Sequence, residues 1–207
     1  MPKYWIYLVV PIGGFASAGA SAQDAGTQIT VTASGTPTSL DETGQPVTVI
    51  GRDEIDAVQG ADLMRVLARA PGVSFSRNGA AGSFTGLRVR GAEAEQLLVL
   101  IDGVRVADPA APGGGFDFGN LLTGTIGKID LLRSSNSTIW GSDAIGGVLA
   151  VTPRADTALE GSAEYGSRDT AFATLSGGLA GERGALGGTA AWYRSDGFSS
   201  AADGSER

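Results

Sequence analysis

The sequence predicts a small α/β domain with short helices, followed by antiparallel strands of the kind that open a transmembrane β-barrel. Three observations carry that expectation. Between Pro46 and Arg154, short apolar runs flank one stretch of helical period. Beyond Pro153 the texture changes to segments of about ten residues with strict apolar–polar alternation. Glycine supplies 33 of the 207 residues, against a usual share of roughly 7%; that disfavours long helices and suits turns and thin-walled β structure.

The elements follow in order. Met1-Pro2-Lys3 precedes an apolar stretch from Tyr4 to Phe15 and a small-residue end, Ala20-Ser21-Ala22. A basic start, an apolar centre and an A-x-A site predict a signal peptide over 1–22. Pro11, Gly13 and Gly14 interrupt it, and it falls short of the roughly 20 apolar residues of a spanning helix. Residues 23–45 hold no Lys or Arg and little apolar surface, which predicts a mobile segment. Its one alternating island, Thr27–Ala33, reads either as a strand for β-augmentation or as an inert spacer.

From Pro46 to Arg154 the chain reads as one domain. Val47–Ile50 is a strand. Leu63, Val66, Leu67 and Ala70 share a helical face that Pro71-Gly72 ends. The carboxylates Asp53, Glu54 and Asp56 suit a helix N-terminus. Val73–Ser76 and Leu87–Arg90 are short strands, and the apolar run Leu97–Ile101 is a buried one. Asp102-Gly103 turns the chain into Val104–Val106. A flexible loop, 107–119, places Phe116 and Phe118 exposed or half-buried, and Ile126–Leu132 and Val148–Thr152 complete the set. Three alternating segments follow. Leu159, Gly161, Ala163 and Tyr165 share a face, as do Ala171, Ala173, Leu175, Gly177 and Leu179, and then Leu186, Gly188, Ala190 and Trp192. By pattern alone, three soluble antiparallel strands explain these segments as well as a barrel does.

Composition removes most chemistry. Without Cys or His the chain assembles no Ser-His-Asp or Cys-His nucleophile, no disulfide and no ordinary zinc site. A net charge of −7 without a basic run makes a poor nucleic-acid binder, since phosphate neutralisation needs clustered Lys and Arg. Gly113-Gly114-Gly115 lacks the Lys-Ser/Thr of a phosphate loop. No catalytic constellation emerges, and the chain reads as a non-enzyme.

Several motifs together resemble the TonB-dependent outer-membrane receptors. Thr27, Gln28, Ile29, Thr30, Val31, Thr32 and Ala33 look like a Ton box, and Leu67–Val73 like the helix stop of the plug domain. Arg88-Val89-Arg90-Gly91, Val99–Val104, Ile129–Arg133 and Trp140–Val148 match plug motifs in order. The lack of a preceding signalling domain looks most like the cobalamin receptors, although siderophore receptors share every motif. Where the family follows Arg133 with Gly-Pro, this sequence has Ser134-Ser135-Asn136.

The resemblance implies an α/β plug domain over 46–154 and the first barrel strands over 158–207, breaking off in an extracellular loop. A complete plugged barrel has about 22 strands, so the chain reads as a fragment of a barrel that is monomeric when whole. It implies uptake of cobalamin or a ferric siderophore across the outer membrane, with no covalent cofactor. TonB and its inner-membrane energising complex would engage the Ton box from the periplasm. Substrate would meet Asn78, Ser83, Phe84, Thr85, Pro109 and Phe116 on outward plug loops. Arg88, Arg90 and Arg133 would form an ionic lock with barrel carboxylates, and Asp196 and Asp203 would contribute to a Ca²⁺ site. The rival reading is a soluble periplasmic plug-like adaptor that binds without transporting.

Overall fold

The computed structural model describes residues 45–181 and 184–197. The plug-like part is built on a five-stranded mixed sheet. Its strands are β1 (Val47–Ile50), β4 (Leu97–Ile101), β5 (Val104–Val106), β6 (Ile126–Leu132) and β7 (Gly147–Pro153), in the order β1-β6-β7-β4-β5. Only β4 and β7 run parallel; β1–β6, β6–β7 and β4–β5 are antiparallel. Asp102 and Gly103 adopt φ of 52° and 77°, the left-handed pair that a two-residue hairpin turn between β4 and β5 requires.

Two short helices cover one face of the sheet: α1 (Arg52–Val58) and α2 (Leu63–Leu67). Asp62 caps α2, its carboxylate accepting from the Met64 N–H at 3.0 Å. The predicted helical face is real, with Leu63, Val66 and Leu67 buried, but the helix ends at Leu67 and the chain turns through Ala68–Ala70 ahead of Pro71. A separate hairpin, β2 (Val73–Arg77) and β3 (Thr85–Val89), completes the layer. Leu63, Leu67, Leu87, Ile129, Leu131 and Leu149 lie in its core, fully buried, each such side chain contributing about 1.5–3 kcal/mol of transfer free energy. Phe118 is also in this core at 3% exposure, where the sequence placed it exposed or half-buried. The opposite face is smaller: Leu98, Leu100, Leu132, Val148 and Ala150 pack with Trp140 and Ala144 from α3 (Ser137–Trp140) and the turn after it.

The last three strands are β8 (Glu160–Gly166), β9 (Thr170–Gly181) and β10 (Gly184–Arg194), an antiparallel meander. Their register sets Gly161 opposite Leu175, Ala163 opposite Ala173, Ala173 opposite Trp192 and Leu179 opposite Leu186. Every residue predicted to share the apolar face therefore does share it. That face points away from the plug-like part, leaving Leu159, Tyr165, Leu175, Leu179 and Leu186 between 55% and 80% exposed. The inner face carries Ser162, Glu164, Phe172, Thr174, Ser176, Ala191 and Tyr193. Among the described residues no helix is long and apolar enough to cross a membrane.

Candidate functional site

The hairpin turn between β2 and β3 is held from three directions. Asn78 N–H donates to Phe84 O at 3.1 Å, and Ser83 Oγ donates to Ala80 O at 2.6 Å. Asp117 then joins the 107–119 loop to the hairpin, its Oδ1 accepting from Thr85 N–H at 2.8 Å and Gly119 N–H at 2.9 Å. Phe118 N–H donates to Thr85 O at 3.0 Å. Gly119 approaches so closely that a Cβ there would stand 2.2 Å from Ser83 O. The two loops predicted to face substrate are thus one unit.

Within that unit the predicted residues differ. Asn78 and Pro109 are exposed, and Phe84 is partly so. Phe116 is half-buried, edge-on to Phe118 at 4.8 Å between centroids. Ser83 is half-buried. Thr85 is fully buried: its hydroxyl donates to Ser83 O at 2.9 Å and accepts from Arg77 Nε at 3.0 Å, so it holds the turn from within.

Arg77, which sequence reasoning missed, organises the underside. Its guanidinium grips the α2 cap residue Asp62, tying the hairpin to the helix layer. Burial raises the Asp62 carboxyl, but the Arg77 hydrogen bonds, the Met64 N–H and the charges of Arg77 and Arg65 outweigh it and hold Asp62 below the usual carboxylate range. In the sequence Arg77 sits in Ser76-Arg77-Asn78-Gly79 and looks like an exposed turn residue; the only readable signal was Asp62 as a helix cap. A cavity of about 480 Å³ opens between this hairpin and the ends of the meander, lined by Arg77, Ala81, Ser167, Thr170, Tyr193 and Ser195.

The inner face of the meander docks on the plug-like part. Ala61 and Leu122 pack with Phe172, Ala191 and Tyr193, and Gly60 N–H donates to Glu164 Oε2 at 2.8 Å. Gly124 is pressed against the strand wall, where a Cβ would lie 2.1 Å from Thr174 Cγ2. Arg154 pairs with Asp156 in the connector and with Glu160 at the start of β8.

The three predicted lock arginines separate. Arg90 and Arg133 meet at the Pro71-Gly72 turn: Arg90 N–H donates to Gly72 O at 2.7 Å, and Arg133 Nη1 to Pro71 O at 3.1 Å. Arg133 Nε is buried with no partner among the described residues. Arg88 instead pairs with Glu93 at 2.9 Å, both about half exposed. Asp196 pairs loosely with Arg194 at 3.8 Å. Asp203 and the Thr27–Ala33 segment lie outside the described residues, as does the predicted signal peptide. No cluster of three carboxylates suited to a metal occurs among the described residues.

A mixed sheet with few short helices, joined to an antiparallel meander by a short connector, defines a plug followed by barrel-type strands. The family profile of the TonB-dependent receptor plug domain matches residues 39–148, more than half of the chain, and the chain belongs to that family. Solved structures agree on the fold. The siderophore receptor PiuA from Acinetobacter baumannii superposes with a TM-score of 0.65 at 20% identity, over 82% of this chain and 23% of that one. The ferric yersiniabactin uptake receptor FyuA from Yersinia pestis gives 0.53 at 18%, over 74% and 24%. The unliganded ferric citrate transporter FecA gives 0.53 at 23%, over 72% and 26%. The chain spans about a quarter of the length of these receptors.

Proposed function

We propose that the chain is the N-terminal part of a TonB-dependent transporter that takes up a small metal chelate across the outer membrane, a ferric siderophore or cobalamin. The observation that carries this reading is the outward face of β8–β10. Leu159, Tyr165, Leu175, Leu179 and Leu186 stand exposed in one register-matched band, while the opposite face grips the plug. A barrel wall needs lipid outside and polar or plug contacts inside. A soluble periplasmic adaptor has no use for such a band, and large exposed apolar patches are rare on soluble monomers.

In this reading the joined loops at 78–85 and 107–119, with the neighbouring cavity, receive the chelate from outside. Asn78, Phe84, Pro109 and Phe116 offer it side chains, and Ser83 and Thr85 hold the turn. The Thr27–Ala33 segment adds as a strand to TonB in the periplasm, which draws energy from the inner-membrane complex. Arg88, Arg90 and Arg133 would pair with barrel carboxylates as an ionic lock; the Arg133 guanidinium and the Arg90 backbone N–H both bond the Pro71-Gly72 turn. Asp196, just after β10, and Asp203 are the candidate Ca²⁺ ligands. The decisive test is Ile29→Pro in the full-length receptor: proline removes a ladder donor, so uptake is abolished while ligand binding to cells is unchanged. Wild-type uptake in that variant overturns the reading.

A further inference from the structure

β1 is a four-residue strand at the edge of the five-stranded sheet, with β6 as its single neighbour. It is also the first strand of the described chain, so tension on the residues before it reaches the plug through its N-terminal end. At that end the backbone ladder closes with Arg133 N–H donating to Pro46 O at 3.0 Å. Pro46 has no N–H to add. The grip is continued by a side chain: Gln45 Oε1 accepts from Ser134 Oγ at 3.0 Å and from Asn136 Nδ2 at 3.2 Å.

The Asn136 donor is fixed in advance. Asn136 is 5% exposed, its N–H donates to Ala144 O at 2.9 Å, and its carbonyl accepts from Ile139 and Trp140 at 3.1 and 3.0 Å. A buried side chain on a backbone already held by its own turn, with Nδ2 also 3.4 Å from Ser134 O, loses little entropy on binding Gln45.

We infer that Ser134 and Asn136 are positioning residues that latch the root of the N-terminal segment to the sheet through Gln45, and that this latch sets how readily β1 peels from β6. The inference rests on the reading of residues 23–45 as the segment that is pulled. When the latch opens, β1 loses its outermost hold and the edge strand frays residue by residue from Gln45; while it is closed, slack and small tensions in the tether do not reach the sheet.

The test is amide hydrogen exchange on the full chain, which needs neither TonB nor ligand and so fails or succeeds separately from the Ile29→Pro experiment. Gln45 is exposed, so its variants fold. Gln45→Met keeps length and removes the acceptor; the β6-bonded amides of β1 then exchange about five- to twentyfold faster, with β4 and β7 unchanged. Gln45→Glu keeps the acceptor and keeps wild-type protection. Ser134→Ala gives an intermediate gain, and pulling Gln45→Met by its N-terminus lowers the first rupture force. Wild-type β1 protection in Gln45→Met, equal loss in Gln45→Glu, or a uniform rise across all strands overturns the latch.

Discussion

Arg77 and Asp62 are joined by two parallel hydrogen bonds, Nη1 to Oδ2 at 2.8 Å and Nη2 to Oδ1 at 2.7 Å. The pair spans the join between the β2–β3 hairpin and the helix layer, and both side chains are mostly out of water. The folded state holds the Asp62 carboxyl below its unfolded value, so the pair's stabilisation is present above the usual carboxylate pKa of about 3.9 and is lost as pH falls through the lowered one. Arg77→Met should therefore cost about 2 kcal/mol at pH 7. In urea titrations that difference shrinks once both proteins are acidified past the lowered pKa, leaving the part carried by the Arg77 Nε–Thr85 hydrogen bond.

Asp130 behaves in the opposite sense. Its carboxyl is 6% exposed, and burial raises its pKa against the opposing Lys128 hydrogen bond and charge. Oδ1 finds no partner among the described residues. The folded state then holds the proton more tightly than the unfolded one, so ionised Asp130 weakens the fold as pH rises past the unfolded pKa. Asp130→Asn is expected to melt above wild type at pH 7 and level with it in acid, measured by thermal unfolding at both pH values.

Gly124 is required by space alone, since its backbone is not in the left-handed region. An alanine Cβ would lie 2.1 Å from Thr174 Cγ2 and 3.1 Å from Phe172 Cζ. Gly124→Ala should destabilise the plug–wall contact by about 1–3 kcal/mol, read as faster proteolysis of the 120–125 segment. Adding Thr174→Ser removes the clashing methyl, keeps the hydroxyl that meets Ser162 Oγ at 2.8 Å, and restores most of the protection.

Leu175 stands in the middle of the outward band at 55% exposure. Leu175→Arg should cost about 2–4 kcal/mol of membrane stability if that position lies at the bilayer midplane. Recovery of folded full-length receptor from the membrane fraction falls accordingly, whereas the apolar Leu175→Met leaves membrane recovery in place.

Local chemistry made the strands legible. Leu97–Ile101, Val104–Val106 and Ile126–Leu132 appear with their predicted bounds because an unbroken apolar run or an Asp-Gly turn leaves one option. The alternating faces of β8–β10 were readable because period two admits one register per face. The strand order was not readable, since it depends on which edges meet after collapse. Phe118 gave no sign of burial inside a glycine-rich loop; it is the Asp117 carboxylate, bonding Thr85 and Gly119, that turns the loop inward. Among the site residues, exposure separated Asn78 from Thr85 although both looked like polar loop positions.

The connector between plug and wall crosses the hairpin at a notch. Gly178 and Gly187 face each other across β9 and β10, and a Cβ on Gly178 would stand 2.4 Å from Asp156 O. Ser176 Oγ bonds the Asp156 carboxylate beside it. The chain therefore passes along the inside of the wall before the wall begins, so the plug is already on the lumen side of the first hairpin. A barrel assembling onward from β10 would close around a plug that is in place, and would never need to admit it through a finished ring.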